Sequence, residues 1–308
     1  MSYNIIYRED VRILKIINFG SLNIDHVYTV DHIVRKEETI RANKVNFFPG
    51  GKGLNQSIAL AHSGASVYHA GCVGMSDGGY LMNILEKNGV NVSLIRKKEI
   101  PTGSAFIQVA PDGSKSIIVC GGANFSVTED QIDYTVAQLR HGDILLLQNE
   151  INNIDLIVKK ALACGTKIAL NCSPFTNELK KLPLGELSYV FINRQEASEF
   201  TGASPLDIEA LISAIRDLFP KAETVMTMGT KGAMLITAHD TIYQPIYEAE
   251  VKDKTAAGDA LIGFYLGTEM EGATPKDALM IAARAASICV SRAGAASSIP
   301  MIEECYGI

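Results

Sequence analysis

A chain of 308 residues, 47% hydrophobic and 20% charged, can build one large domain or two ordinary ones around a substantial core. A formal net charge of −6 and a pI near 5.6, with no long basic run, argue against a nucleic-acid surface. No apolar stretch is long enough to cross a bilayer, and residues 1–12 are charged and lack the apolar segment of a signal peptide. The six cysteines show no C-x-x-C pairing and sit mostly in apolar runs, and no histidine joins a cysteine as a metal pair. A reducing, cytoplasmic compartment is therefore expected.

In chain order, residues 13–19 are a compact apolar run ending at Gly20, the pattern of a buried strand. Ser21-Leu22-Asn23-Ile24-Asp25 follows, and in extended chain Asn23 and Asp25 project to the same side. The space just beyond a central strand is where open α/β sheets bind ligands, although an Asx turn uses the same residues. Residues 30–48 are short and broken in pattern. They end in Pro49-Gly50-Gly51-Lys52-Gly53-Leu54-Asn55-Gln56, ahead of an apolar helix over 57–62. Glycines this dense permit positive φ and close backbone approach to a ligand. Their spacing matches neither the P-loop nor the dinucleotide fingerprint, so Lys52 inherits no Walker role.

A strand over 67–73 and a helix over 79–88 come next. Helical periodicity then disappears until Cys120; residues 104–110 and 116–120 read as strands joined at Pro111-Asp112-Gly113. The two β-rich interruptions, about 28–49 and 92–121, are expected to form a small sheet outside the main body, a lid inserted into one domain of residues 1–308. Helices near 128–139 and 154–164 then alternate with strands over 143–148, 167–171 and 189–192. The strand over 143–148 leads to Asn149-Glu150, and the one over 189–192 to the helix-starting Asn193-Arg194-Gln195-Glu196. A helix over 207–219 and a strand over 224–228 precede Gly229-Thr230-Lys231-Gly232, a loop able to wrap phosphates or to serve as a plain hairpin turn. Strands over 233–237 and 241–245 follow. Such alternation predicts an α/β fold with a mostly parallel sheet covered by helices on both faces.

The stretch Asp253-Lys254-Thr255-Ala256-Ala257-Gly258-Asp259 runs small residues into an apolar helix over 260–270, with a last helix over 275–291. Unpaired first-turn N–H groups and the helix dipole favour an anion there. Asp259 beside that anion could take a proton from an attacking hydroxyl; a turn with an ordinary N-cap is the plainer reading.

Together, from residue 13 to residue 300, these motifs resemble the ribokinase branch of the PfkB carbohydrate kinase family, in the family's order and spacing. The segment holding Asn23 and Asp25 is similar to the first sugar-contacting stretch. Gly51, Lys52, Gly53 and Asn55 fall in the glycine-rich signature that holds the sugar and hinges the lid, and Glu150 matches the acid that binds sugar hydroxyls. Asn193 and Glu196 match the N-x-x-E motif associated with Mg²⁺ and phosphate, Glu196 acting on the metal indirectly. Thr227, Gly229, Thr230, Lys231 and Gly232 resemble the nucleotide loop. Ala256, Ala257 and Gly258 resemble the anion hole, with Gly258 also touching nucleotide, and Asp259 the catalytic base. The resemblance further implies a monovalent cation, usually K⁺, at Asp253, Thr255, Cys289, Arg292, Gly294 and Ser298. Three positions depart from the pattern: Lys254 replaces a small hydroxyl residue, Arg194 replaces an acid, and only Ala283 stands at the adenine-stacking position.

What the resemblance implies is an ATP- and Mg²⁺-dependent kinase acting on the primary hydroxyl of a small sugar, D-ribose foremost, as a homodimer clasped through the lids. A nucleoside, deoxyribose or fructose kinase is the rival within the family. Lys52 and Asn55 favour a small free pentose, because they would fill space that a base needs. A non-catalytic sugar sensor on the same fold is the rival of another class, and it would need neither Asp259 nor the Asn193/Glu196 pair.

Overall fold

Strands that are apolar at every position need cover on both faces, and this requirement shapes the main sheet. The computed structural model describes residues 14–306. In chain order they form β1 (Ile16–Phe19), β2 (Asn23–Thr29), β3 (Lys44–Gly50), α1 (Lys52–His62), β4 (Val67–Gly74), α2 (Gly79–Lys87), β5 (Asn91–Lys98), β6 (Gly103–Val109) and β7 (Lys115–Cys120). Next come α3 (Glu129–Val136), β8 (Ile144–Gln148), α4 (Ile154–Ala163), β9 (Lys167–Asn171), β10 (Tyr189–Asn193), α5 (Arg194–Thr201) and α6 (Ile208–Leu218). The chain continues through β11 (Glu223–Thr227), β12 (Ala233–Ile236), β13 (Thr241–Gln244), α7 (Ala257–Met270), α8 (Pro275–Val290) and α9 (Ile302–Tyr306).

The main sheet has the order β13-β12-β11-β10-β9-β8-β1-β4-β5, and only β12 runs against its neighbours. Successive residues of its central strands feed opposite cores. Ile16, Ile144 and Leu146 pack with residues of α1, α2, α7 and α8, whereas Ile17, Leu145 and Leu147 pack with residues of α3 to α6. The first residue of the expected opening strand, Ile13, lies outside the described residues.

A second sheet, β3-β2-β6-β7, stands over one end of the first. It draws on residues 23–29, 44–50 and 103–120, so the insertions differ from the expected 28–49 and 92–121. Residues 92–98 belong to β5, the edge of the main sheet, paired parallel to β4. The reason is exposure: only Leu94 and Ile95 of β5 are buried, so this edge strand shows the same mixed polar pattern as a lid strand. β2 leaves directly from the end of β1, which carries Asn23 and Asp25 from the main sheet into the small one. Helix α1 also begins earlier than expected, at Lys52, because Gly51 makes the whole turn with φ 95°.

Helices α1 and α7 meet through small residues spaced four apart. A Cβ added to Gly263 would lie 2.3 Å from the Ala59 Cβ and 2.8 Å from the Ala59 and Leu60 backbone, and one added to Gly267 would strike the Ser63 side chain. One turn before these contacts on each helix stand Asn55 and Asp259. Gly263→Ala is expected to destabilise the protein by about 1–3 kcal/mol through overpacking. Urea unfolding followed by circular dichroism measures the loss; an unchanged midpoint would mean that the helices part without cost.

Candidate active site

The parallel strands end beneath the small sheet, and there two clefts meet. One, of about 520 Å³, is lined by Asn23, Asp25, Gly51, Lys52, Asn55, Glu150 and Asp259 under Ala105, Ile107, Ile117 and Val119 of the small sheet. The other, of about 330 Å³, lies between the Thr227–Gly232 turn and helix α8. Thr227, Lys254, Gly258 and Leu261 belong to both.

Asp259 sits in the first turn of α7 and is 8% exposed. The chain enters this helix through Ala256, held left-handed at φ 62°, a strained conformation for a residue with a Cβ. The carboxylate accepts from Asn55 Nδ2 at 3.0 Å and from Gln56 Nε2 at 2.8 Å. Behind Gln56, its Oε1 accepts from Gln148 Nε2 at 2.7 Å, and Gln148 Nε2 also donates to Asn18 Oδ1 at 2.8 Å. Asn18 Nδ2 in turn donates to the Gly53 carbonyl and to Ser57 Oγ, at 2.8 and 2.9 Å. Asn18, Gln56 and Gln148 are fully buried, so each amide can face only one way, and the NH₂ of Gln56 is aimed at Asp259. Gly258, beside the carboxylate, would meet nothing if it bore a Cβ, so its backbone faces open cleft.

Glu150 and Lys52 line the same cleft. Glu150 Oε2 takes the hydroxyl of Ser21 and the N–H of Lys52 at 3.1 Å, thereby capping α1. Burial on its own would lower the Lys52 pKa, but Asp259, Glu150 and Glu196 surround the ammonium and raise it. Burial, then the charge of Glu150, push Asp25 up to about 6. Asn23 is oriented from behind: Asn124 Nδ2 donates to its Oδ1 at 2.8 Å, while Asn124 Oδ1 accepts from the Leu22 N–H at 2.9 Å. Gly53 makes no cleft wall; its missing side chain lets α1 press on the backbone of Gly20 and Ser21.

Asn193 and Glu196 form a capping box on α5. Glu196 N donates to Asn193 Oδ1 at 2.9 Å, and Asn193 N to Glu196 Oε2 at 3.0 Å. Both residues line the larger cleft, so the box leaves one Glu196 oxygen for it. Gly229, Thr230, Gly232, Ala257 and Ala283 line the smaller cleft together with Tyr247 and Ile246, which sequence reasoning did not find. Lys231 is exposed and its carbonyl accepts from Tyr243 Oη at 2.9 Å, so it contributes no side chain to that wall.

Most of the residues tied to a monovalent cation converge where the segment before α7 meets the end of α8 and the turn after it. Asp253 Oδ1 accepts from Thr255 Oγ1 at 2.6 Å, its Oδ2 from Gly294 N at 3.4 Å, and Cys289 Sγ lies 2.9 Å from Ser298 Oγ. Burial would raise the Asp253 carboxyl, yet hydrogen bonds from Thr255 and Gly294 and the charge of Lys115 hold it below its ordinary value. Burial pushes the Cys289 thiol up, which keeps it neutral. The Arg292 guanidinium turns away to Glu304. Carboxylate, hydroxyl and carbonyl oxygens are the donors a hard cation takes. No group of three or more His, Cys, Asp and Glu among the described residues is arranged to hold a metal.

The model of the pfkB family carbohydrate kinases matches residues 14–302. The chain belongs to this family. It is 32% identical to a ribokinase of Haemophilus influenzae over 294 residues, covering 92% of this chain and 95% of that one. Among solved structures, a ribokinase from Thermotoga maritima matches with a TM-score of 0.86 at 32% identity, over 95% of this chain and 98% of that one. An Arabidopsis thaliana ribokinase complexed with ribose and ATP matches with a TM-score of 0.84 at 28% identity, over 96% and 98%. This PfkB protein is a sugar kinase with a ribokinase-like fold. No helix among the described residues is long and apolar enough to cross a membrane.

The perturbed Asp25 gives the kinase a pH signature. Its folded pKa, about 6, lies above the ordinary 3.8, so the ionised form destabilises the fold. That penalty grows as pH rises between those values and is constant above them. Asp25→Asn is expected to raise Tm at pH 7.5, with the gain shrinking to nothing by about pH 4. Differential scanning fluorimetry across this range measures it, and a Tm difference that ignores pH would show that Asp25 titrates normally.

Proposed function

We propose that this kinase transfers the γ-phosphoryl group of ATP to the primary hydroxyl of D-ribose, giving ribose 5-phosphate, with Asp259 as general base. The observation that carries the reading is the place of Asp259: a carboxylate held by two amide donors where the clefts join, next to the open backbone of Gly258. The larger cleft is the sugar site in this reading. Asn23, Asp25, Asn55 and Glu150 would bracket the furanose hydroxyls, which carboxylates accept well in pairs, beside Gly51 and Lys52. The smaller cleft takes ATP, with its phosphates toward Thr227, Gly229, Thr230 and Gly232 and its adenine between Ala283 and Tyr247.

Phosphoryl transfer depends on positioning and charge neutralisation more than on covalent chemistry. Asp259 accepts the proton of the sugar hydroxyl as it attacks, and N–H groups at Ala256 to Gly258 steady the charge growing on the transferred group. The free oxygen of Glu196 would help to hold a Mg²⁺, whose charge would neutralise the nucleotide phosphates. In this reading K⁺ would bind between the segments holding Asp253 and Thr255 and holding Gly294 and Ser298, and would brace the α7 turn without touching substrate. The small sheet acts as a lid whose Ile107, Ile117 and Val119 exclude competing water. Its opposite face is apolar too: Phe47 and Ile118 are 59% and 65% exposed, and His26 lies between the rings of Phe47 and Phe106. A second copy of the chain covering that face makes the working form a homodimer in the cytoplasm.

Asp259→Asn is expected to bind sugar and ATP but to lower kcat at least about a hundredfold. A coupled ADP-release assay with ribose, deoxyribose, fructose and nucleosides checks both the variant and the choice of sugar. Near-normal turnover by Asp259→Asn would remove this residue from the base role, and phosphorylation of none of these acceptors by the unaltered chain would favour a sugar sensor.

A further inference from the structure

We infer that Lys254 is a phosphate-binding residue, placing an ammonium on the path along which the phosphoryl group passes from nucleotide to sugar. The inference rests on the reading of the two clefts as nucleotide and sugar sites. Four residues border both clefts, Thr227, Lys254, Gly258 and Leu261, and Lys254 alone among them is charged. A group crossing from one cleft to the other passes this side chain.

The electrostatics of the junction call for such a charge. The larger cleft is lined by four carboxylates, Asp25, Glu150, Glu196 and Asp259, each of which repels a polyphosphate. Three lysines line it as well, and two of them already answer to acids. Lys52 is surrounded by Asp259, Glu150 and Glu196. Lys115, reaching down from β7, acts on Asp253. Lys254 forms no ion pair and no side-chain hydrogen bond among the described residues, and it is exposed. Its charge is therefore available to a ligand. It also stands five residues before Asp259, on the same loop as the Ala256 turn and the open backbone of Gly258. A side chain there and the first-turn amides of α7 can face one anion together.

The alternative, a solvated loop lysine, predicts no selectivity among nucleotides, and this separates the two. The experiment compares the unaltered full-length protein with Lys254→Met and Lys254→Arg. Calorimetric titration with the β,γ-imido analogue of ATP and with adenosine is run alongside steady-state kinetics. Lys254→Met is expected to bind the analogue at least about tenfold more weakly while binding adenosine as before, to lose at least about tenfold in kcat, and to keep its sugar KM within about twofold. Lys254→Arg should recover most of the analogue affinity. Equal affinity of Lys254→Met and the unaltered protein for the analogue would overturn the inference. So would a parallel loss for adenosine, which would mark a structural role. Should the sugar acceptor prove different from ribose, the analogue-to-adenosine ratio still reports on Lys254, so failure of the functional reading and failure of this inference give different results.

Discussion

Two amide donors from adjacent positions of one helix hold a carboxylate on another, and the rest of the site is arranged around that contact. Asn55 and Gln56 reach Asp259 because α1 and α7 pack with no room for side chains at Gly263 and Gly267. The closeness comes from Ala59 and Ser63 facing Gly263 and Gly267, each pair one turn further along the same two helix faces. Behind the donors, the amides of Gln148 and Asn18 leave Gln56 a single orientation. The carboxylate is thus fixed by packing and by a buried polar chain together, in a setting where each hydrogen bond is stronger than it would be in water.

Several side chains serve the backbone and the cleft at once. One oxygen of Glu150 caps α1, and one oxygen of Glu196 closes the capping box of α5. The carboxylates cannot swing away from the cleft without uncovering helix N–H groups, which ties the geometry of the pocket to the integrity of two helix starts. This dual use also explains why Asn-x-x-Glu admits two readings from sequence. The spacing that closes a capping box is the same spacing that presents an acid beyond a strand.

Much of the architecture could be read in the chain because apolar strand runs and helical periods are clearly separated from residue 128 onward. Asn23, Asp25, Glu150 and Asp259 could be singled out because each follows a strand or opens a helix, where open α/β sheets present polar groups to a ligand. The boundary of the small sheet could not be read. β5 is a half-exposed edge strand, and its polar residues hide its membership of the main sheet. The polar chain behind Asp259 was also missed. Gln148 sits in an apolar strand and Asn18 in another, and a buried amide in such a run signals a partner without saying which one. Only the fold brings residues 18, 56 and 148 together. Tyr247 escaped notice because it lies in an irregular segment with no periodicity.

Asn124 carries a consequence for how a small molecule would be received. It lies just past the last strand of the small sheet, it is almost completely buried, and it grips both the backbone of Leu22 and the amide of Asn23. The amide of Asn23 is therefore aimed by the protein itself, and little rotamer freedom of that side chain has to be given up on encounter. The same grip makes the root of the overhanging strands and the floor beneath them one mechanical piece, so a visitor that draws the canopy down does so against a recognition group that stays put.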